Sequence, residues 1–581
     1  MGDATATIAA KNTFDVIVIG SGVSGALLAN VLANKGARVV ILEAGEIGRD
    51  RQEMVHSWAG ATVKRLGTPY IPSQPAKIPG PEQPANPSDM KIARDLYFDQ
   101  IPDPVTPERY GSTYERRVGG STWHWLGHTP RLLPNDFRMN TMYGVGVDWP
   151  ISYADLETWY CQAEKELGVA GDDAEWANIH GAFRSQPFPM SKIWPSWSDL
   201  QVAKALKKVQ IEGHTLDVLS MPSARNSQEY DGRPACAGNA SCVPICPIGA
   251  KYDASVHVKK ALRAKAQLRE KSVVTQLDVD ADGSVHLVHY KQWDGSKGEA
   301  WGRIVIVAAN AIESAKLLLM SKGPGADSGV ANSKGLVGQN LMDHLQKVVL
   351  GTSREPLFPY RGPPSTSGIE VFRDGPFRDH RGAFRVSLGN DGWARLGSPQ
   401  NDVERLVNTN GLFGKDLRGQ LFDQISRQLR LSCSVEVLPN PANRVTLSNL
   451  NDTFGIPRPQ IHFETKEYTR SALGLAVDVM CAILRAADAT PLPVDRNPLN
   501  YTGAGHVVGT CRMGFDKTHA VVDADCRSFD HRNLYIVGGS TFPTCGTANP
   551  TITIAALALR AAHHVLATLP QFPARPVEPH K

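Results

Sequence analysis

Cysteine is scarce, with 9 in 581 residues, far below what a disulfide-built scaffold needs. Six of them, Cys161, Cys433, Cys481, Cys511, Cys526 and Cys545, also lack any metal-ligand spacing. Long apolar runs are absent: none reaches the roughly 18 residues of a membrane span, and the nearest, 551–569, is interrupted by Arg560, His563 and His564. No direct membrane span is expected. An excess of one charge is absent too, because Lys+Arg 62 against Asp+Glu 58 leaves a net charge of +4. So small and dispersed a charge points to neither nucleic acid nor an anionic membrane as partner. Residues 1–12 lack the charged-then-apolar layout and small-residue cleavage site of a secretory signal, so no export address of its own is expected. Internal repeats and low-complexity tracts are missing as well.

What is present reads as a folded globule, with 42% hydrophobic and 21% charged residues. At roughly 150 residues per domain the length fits three or four units, or fewer with large insertions. From Phe14 the pattern is an apolar strand (Val16 to Ile19), a glycine turn, a helix over 26–34, a stop at Gly36 and a second strand over 39–42 ending at Glu43. That is a βαβ unit. Residues 52–110 are rich in Pro and Gly with little periodicity, which predicts a long excursion over the surface of the first domain. A helix is expected over 253–270, then strands over 273–279, 285–290 and 304–309 that return to the first unit. The segment 344–463 alternates and predicts a separate sheet-containing unit, after which glycine-rich loops from about 506 lead into a helix from Pro550.

Gly20-Ser21-Gly22-Val23-Ser24-Gly25 lies between that first strand and helix. In such a turn Gly20 makes the tight bend, Gly22 lets backbone approach a pyrophosphate, and Gly25 allows close helix packing, with the helix N-terminus facing the phosphates. Glu43, about twenty residues on, is suited to accept from ribose hydroxyls, favouring an unphosphorylated adenosine ribose as in FAD or NAD. Alone, the turn is also compatible with an ordinary glycine-rich βα connection.

Further motifs follow in order: Arg117-Val118-Gly119-Gly120-Ser121-Thr122, the run 306–314, Val337 to His344, His506 to Gly514, Val537 to Pro543, and Gly546 to Ile554. Together they resemble the successive signatures of the glucose-methanol-choline (GMC) oxidoreductases, which are FAD enzymes, and they cover nearly the whole chain. Ala315 departs from the family, which usually has proline there. The resemblance implies an α/β fold, α+β in parts: a Rossmann-like FAD-binding domain over 14–343 joined by 506–569, and a substrate-binding domain with an antiparallel sheet, mainly 344–505. The first would contain the insert 52–110 and a cysteine loop, 233–252. The implied FAD contacts are Gly20, Gly22, Gly25, Glu43, Gly119, Gly120, Ser121, His124, Val274, Gly539, Ser540, Asn549 and Thr551. Removing hydride from an alcohol carbon also requires a base for the hydroxyl proton, and histidine suits this near neutral pH. His506 stands at the family's base position and Asn549 where it carries a second His or Asn, implying general base and hydrogen-bond donor to the substrate oxygen. His124, between Trp123 and Trp125, stands where some members attach the flavin covalently and others bind it without a bond.

Cys236, Cys242 and Cys246 place three thiols within eleven residues, in a loop with two prolines that cannot be regular helix. Three thiolates followed by Pro247 are similar to iron-sulfur runs, although the four-cysteine pattern is incomplete; three ligands suit a 3Fe-4S cluster. Zinc with a fourth ligand such as His257, or a disulfide with one free thiol, are the alternatives. The run 246–250 with Tyr252, its flank 224–234 and Trp123-His124-Trp125 resemble the large subunits of bacterial FAD-dependent glucose and fructose dehydrogenases. That resemblance implies oxidation of a sugar, glycoside or polyol hydroxyl, at glucose C1 or glycoside C3, with electrons leaving through the cluster. A small export-signal-bearing subunit and a cytochrome c subunit would be partners. The place would be the periplasm, peripherally at the membrane, or the cytoplasm without a partner. The alternatives are a GMC oxidase that reduces oxygen, a fructose, sorbitol or gluconate dehydrogenase, and a noncatalytic FAD-binding scaffold, against which the presence of both His506 and Asn549 argues.

Overall fold

The computed structural model describes residues 13–47, 51–52, 99–101, 110–112, 114–238, 240–243, 245–393, 400–452 and 454–573. The excursion expected over 52–110 lies almost wholly outside the described residues. Strand β1 (Thr13–Ile19), helix α1 (Val23–Asn34) and strand β2 (Val39–Leu42) form the expected unit. Val16 to Ile19 are all buried, the continuous apolar run of a strand covered on both faces. Helix α2 (Tyr153–Leu167) is fixed at its start by a reciprocal bond between Ser152 and Asp155.

Helix α3 (Ser255–Arg263) is shorter than expected from the sequence. Lys265 takes a left-handed backbone (φ 70) that ends it, and Gln267–Arg269 leave as strand β3, parallel to β2. Strands β4 (Ser272–Val279) and β5 (Val285–Gln292) make an antiparallel ladder. Strand β6 (Lys297–Val307) then serves two ladders: Lys297 to Trp301 pair antiparallel with β5, while Thr13 to Ile19 of β1 pair parallel with its remainder. Leu534–Ile536 closes its other side, also parallel. The seven strands run β3-β2-β1-β6-β5-β4, with 534–536 branching from β6.

The second sheet has eight strands and every ladder in it is antiparallel. It contains β7 (Leu345–Gln346), β8 (Val348–Ser353), β9 (Ser367–Ile369), β10 (Phe384–Gly389) and β11 (Gln428–Val435), with 219–220, 489–491 and 502–503 at its margins. Helix α4 (Glu467–Ala486) packs its buried stripe, including Leu473, Val477, Met480 and Leu484, on this sheet. Helix α5 (Thr551–Thr568) is long and apolar enough to cross a membrane, but most of it is buried, against α1 and α2. The architecture is mixed α/β with a largely parallel sheet beside an antiparallel one, as the resemblance implied.

Candidate active site

A cavity of about 460 Å³ opens where β1, β2, β6 and the strand 534–536 end. Ligands of open α/β sheets bind at such carboxyl ends, because the following turns and helix N-termini present unpaired N–H groups there. Gly20, Gly22, Glu43, Gly119, Gly120 and Ser121 line one part of the cavity wall, joined by His124, Val274, Gly539, Thr551, His506 and Asn549. Gly25 and Ser540 do not line it. Gly25 instead faces the strand, where a Cβ would lie 2.0 Å from the Gly20 carbonyl oxygen. Ser540 is fully buried, its carbonyl accepting from the Cys511 N–H at 2.7 Å.

The glycine turn fits the FAD that the resemblance implies. Gly20 has φ +98, a conformation for which L side chains are unsuited. A Cβ on Gly22 would meet nothing within 4 Å and would project into space that a close-approaching ligand needs. Gly22 is also the N-cap of α1 and offers no side chain to the first N–H groups, which leaves them for an anion. Glu43 is buried and already engaged: one oxygen accepts from the Ser21 N–H (2.8 Å) and Oγ–H (2.7 Å), the other from the Gly45 N–H (2.8 Å). Burial pushes its carboxyl above the usual range. Two lone pairs on each oxygen still leave it able to receive a hydroxyl. His124 places Nε2 3.1 Å from Glu115 Oε2.

His506 follows the strand 502–503, and its loop is pinned from two sides. Its N–H donates to Asp343 Oδ1 at 2.8 Å, and the Gly505 N–H donates to Ser112 Oγ at 2.8 Å, whose hydroxyl in turn bonds Asp343. Burial raises the Asp343 carboxyl to about 6. His506 Nε2 lies 3.0 Å from Asn549 Nδ2, and its Nδ1 lies 2.7 Å from His344 Nδ1. Arg385 on β10 donates to Asn549 Oδ1 at 2.7 Å while its other arm holds Glu370 at 2.9 Å. Burial depresses His506 well below the ordinary histidine range, and the positive charge of Arg385 together with His344 and His128 pushes the same way. A neutral imidazole in a cavity beside an amide can accept a proton from a hydroxyl. The two residues predicted to work together are thus adjacent. His344 and Arg385 had no assigned role from the sequence; the visible signals were a histidine closing the motif 337–344 and an arginine inside the alternating strand 384–389.

The cysteine loop approaches the same cavity, since Val243, between Cys242 and Cys246, lines it. All three thiols are free of disulfides; Cys242 and Cys246 are buried and Cys236 is partly so. Burial raises the Cys236 thiol, and the neighbouring Cys242 and Cys246 add to the shift. Two backbone donors reach sulfur, the Gly238 N–H to Cys236 at 3.4 Å and the Lys251 N–H to Cys246 at 3.5 Å. Among the described residues no three His, Cys, Asp or Glu side chains converge at ligating distance. His257, the alternative zinc ligand, has both ring nitrogens engaged, by Tyr252 Oη and Glu166 Oε2 at 2.8 Å each. The disulfide alternative is likewise not formed. The buried Lys251 donates to the Trp123 and Trp125 carbonyls (2.8 and 2.6 Å), tying the cysteine loop to the turn that carries His124.

A family model described as GMC oxidoreductase matches residues 439–558. The large subunit of fructose dehydrogenase from Gluconobacter japonicus is 34% identical over 564 residues, covering 96% of this chain and 98% of that protein. The 2-methyl-1,2-propanediol dehydrogenase of Mycolicibacterium austroafricanum is 29% identical, with 95% of each chain covered. A C-glycoside 3-oxidase of Microbacterium trichothecenolyticum is 24% identical over 95% of this chain and 96% of its own. Among solved structures, pyridoxine 4-oxidase from Mesorbium loti shares the fold with a TM-score of 0.63 at 19% identity, covering 95% of this chain and 99% of that one. With signatures running from the first strand to the last helix and a 34% relative matched along its whole length, the chain is an enzyme of the GMC oxidoreductase family.

Proposed function

We propose that the protein is an FAD-dependent dehydrogenase that oxidises a hydroxyl of a sugar, glycoside or polyol. The observation that carries this is the meeting, in one cavity, of the glycine turn, the His506–Asn549 pair and the cysteine loop. GMC oxidoreductases generally bind FAD, which when bound supplies a two-electron acceptor for hydride. The turn at Gly20 to Ser24, Glu43, the 119–121 loop, Gly539 and Thr551 would hold it, with residues 14–343 and 506–569 forming its unit and 344–505 mainly the substrate side. His506 withdraws the hydroxyl proton, while Asn549 donates to the same oxygen and holds it against the base. His124 is the proposed attachment residue if the flavin is held covalently, a noncovalent site being the alternative.

Cys236, Cys242 and Cys246 are proposed to hold a 3Fe-4S cluster, for which the support is three unpaired thiols, two N–H donors to sulfur and the nearness of their loop to the cavity. A cluster supplies a one-electron exit toward a cytochrome-type acceptor, which favours a dehydrogenase over an oxygen-reducing oxidase. Glucose C1 and glycoside C3 are the proposed positions. The 34% likeness to a fructose dehydrogenase subunit favours a ketose or related polyol as the second reading. The large-subunit name of that relative supports a multi-subunit complex; the proposed partners are a small export-signal-bearing subunit and a cytochrome c subunit, and the proposed place is the periplasm, or the cytoplasm without a partner. A panel of sugars and polyols, assayed with an artificial acceptor and with products identified by NMR, tests the function; no flavin bleaching by any of them rejects it. Metal analysis tests the cluster: iron with an electron paramagnetic resonance signal that vanishes on reduction supports it, and zinc or no metal rejects it.

A further inference from the structure

The hydrogen bonds around His506 form a chain in which each donor and acceptor is dictated by its neighbour. At one end, His344 Nε2 lies 2.8 Å from the Gly546 carbonyl oxygen and 3.3 Å from that of Cys545. Carbonyl oxygens only accept, so His344 carries its proton on Nε2. His344 is fully buried, and burial holds its ring neutral by pushing its pKa down to about 4. A neutral ring protonated on Nε2 has a lone pair on Nδ1. That lone pair faces His506 Nδ1 at 2.7 Å, so His506 is the donor and carries its own proton on Nδ1.

The other end gives the same answer independently. Guanidinium groups only donate, so the Asn549 atom 2.7 Å from Arg385 Nη1 is the amide oxygen. The Asn549 amino group therefore faces His506 Nε2 at 3.0 Å, and that nitrogen accepts. Glu370 Oε1, 2.9 Å from Arg385 Nη2, keeps the guanidinium from rotating away, and Glu370 is itself held by Arg373 at 3.1 Å.

We propose that His344 and Arg385 are positioning residues that fix the tautomer of His506 from both sides, leaving Nε2 as the bare nitrogen that faces the cavity. This rests on His506 being the base. A substrate hydroxyl entering beside Asn549 displaces the amide from Nε2, giving its proton to the freed lone pair while the Asn549 N–H turns to its oxygen. The chain ends on backbone carbonyls, so a proton taken at Nε2 has no inward exit and leaves through the cavity after the product. Losing control of a catalytic histidine's tautomer in other enzymes costs up to about 10⁴-fold, and a smaller penalty is expected where neighbours remain.

The test uses the flavin-loaded enzyme with His344→Leu and His344→Asn, whose Oδ1 takes the place of the Nδ1 acceptor. His344→Leu is expected to lower kcat by roughly 10- to 1000-fold with KM within about threefold, and His344→Asn to recover at least about tenfold of that loss. Arg385→Met should fall in the same way, because the freed amide can turn its oxygen toward His506. Nitrogen NMR of histidine-labelled wild-type protein, with the His506 signal assigned by its loss in His506→Ala, should show Nε2 unprotonated; this needs no variant at position 344 to fold. Full kcat in His344→Leu, equal losses in Leu and Asn variants, or a protonated Nε2 in the wild type would overturn the inference. If His506→Ala itself retains turnover, the base assignment fails instead, which separates the two.

Discussion

Replacing Gly25 by alanine puts a methyl carbon 2.0 Å from the Gly20 carbonyl oxygen, 3.1 Å from its carbon and 3.2 Å from Val18 Cγ1. Contacts under 3.0 Å are not tolerated, so α1 must move about 1 Å from β1. The obstacle is backbone, with no side chain to rotate away, which places the cost at the upper end of overpacking, ~3 kcal/mol. Alanine returns ~1 kcal/mol through helix propensity, leaving a net loss of ~2 kcal/mol, which in a unit of this size is a fall in melting temperature of about 2 °C. Gly22→Ala is the control in the same turn. Gly22 has φ −62 and ψ −172, open to any residue, and its Cβ would touch nothing within 4 Å, so flavin-free protein should melt within about 0.5 °C of wild type. Its methyl instead occupies the approach of the pyrophosphate, at a cost of ~1–3 kcal/mol or about 5- to 150-fold in affinity. Scanning calorimetry on stripped protein reads the first quantity, and flavin absorbance per chain after reloading at limiting FAD reads the second. Gly22→Ala that loads flavin like wild type, or melts as low as Gly25→Ala, would refute the division of labour between the two glycines.

His506→Ala is expected to keep its flavin and lose roughly two to four orders of magnitude in turnover, read by acceptor reduction at saturating substrate. Because His506 is held below the ordinary histidine range, kcat/KM should stay level through neutrality and fall only on the acid side of 6.5; a decline centred above pH 7 would contradict this. His344, with a folded value of about 4 against 6.5 unfolded, contributes stability that is present above 6.5 and lost as pH falls toward 4, by ~3 kcal/mol. Asp343, raised from 3.8 to about 6, gains stability over nearly the same interval as pH falls, so Asp343→Asn should steepen the acid-side drop in melting temperature. If His124 is linked to FAD, yellow colour stays with the denatured polypeptide on a desalting column, and free FAD in the filtrate shows a noncovalent site.

The parts of the molecule that a reader of the sequence finds are those specified within one local unit. The turn between β1 and α1 announces itself because strand, glycines, helix and Glu43 all lie within 13–43. What Glu43 does inside the protein was less visible, since its two bonds to Ser21 depend on how the turn folds back on it. The helix expected over 253–270 was overrun because periodicity carries no information about Lys265, a residue that adopts a left-handed backbone without being glycine or asparagine. His344 and Arg385 escaped for a different reason. They reach His506 and Asn549 only because β7 and β10 pair on either side of β11, and no spacing rule links positions 344, 385, 506 and 549. The cysteine loop was conspicuous by spacing alone, whereas its connection to the cavity through Val243 and Lys251 is a property of packing.

The double pairing of β6 bears on how the protein is made. One flank of its parallel half is covered by β1, among the first residues synthesised, and the other by Leu534–Ile536, about 500 residues later. β6 itself is complete at Val307, so its own wait for Leu534 is shorter, on the order of 10–45 s at ~5–20 residues per second on the ribosome. Throughout it the edge of β6 at Val305 to Val307 stands without its neighbour, and Gly538 and Gly539 are missing from the crevice. An uncovered, wholly apolar strand edge is a template for pairing with other chains. Nascent protein therefore depends on a chaperone or on rapid completion, and a product that stops short of Leu534 is left with an open sheet edge and an incomplete nucleotide crevice.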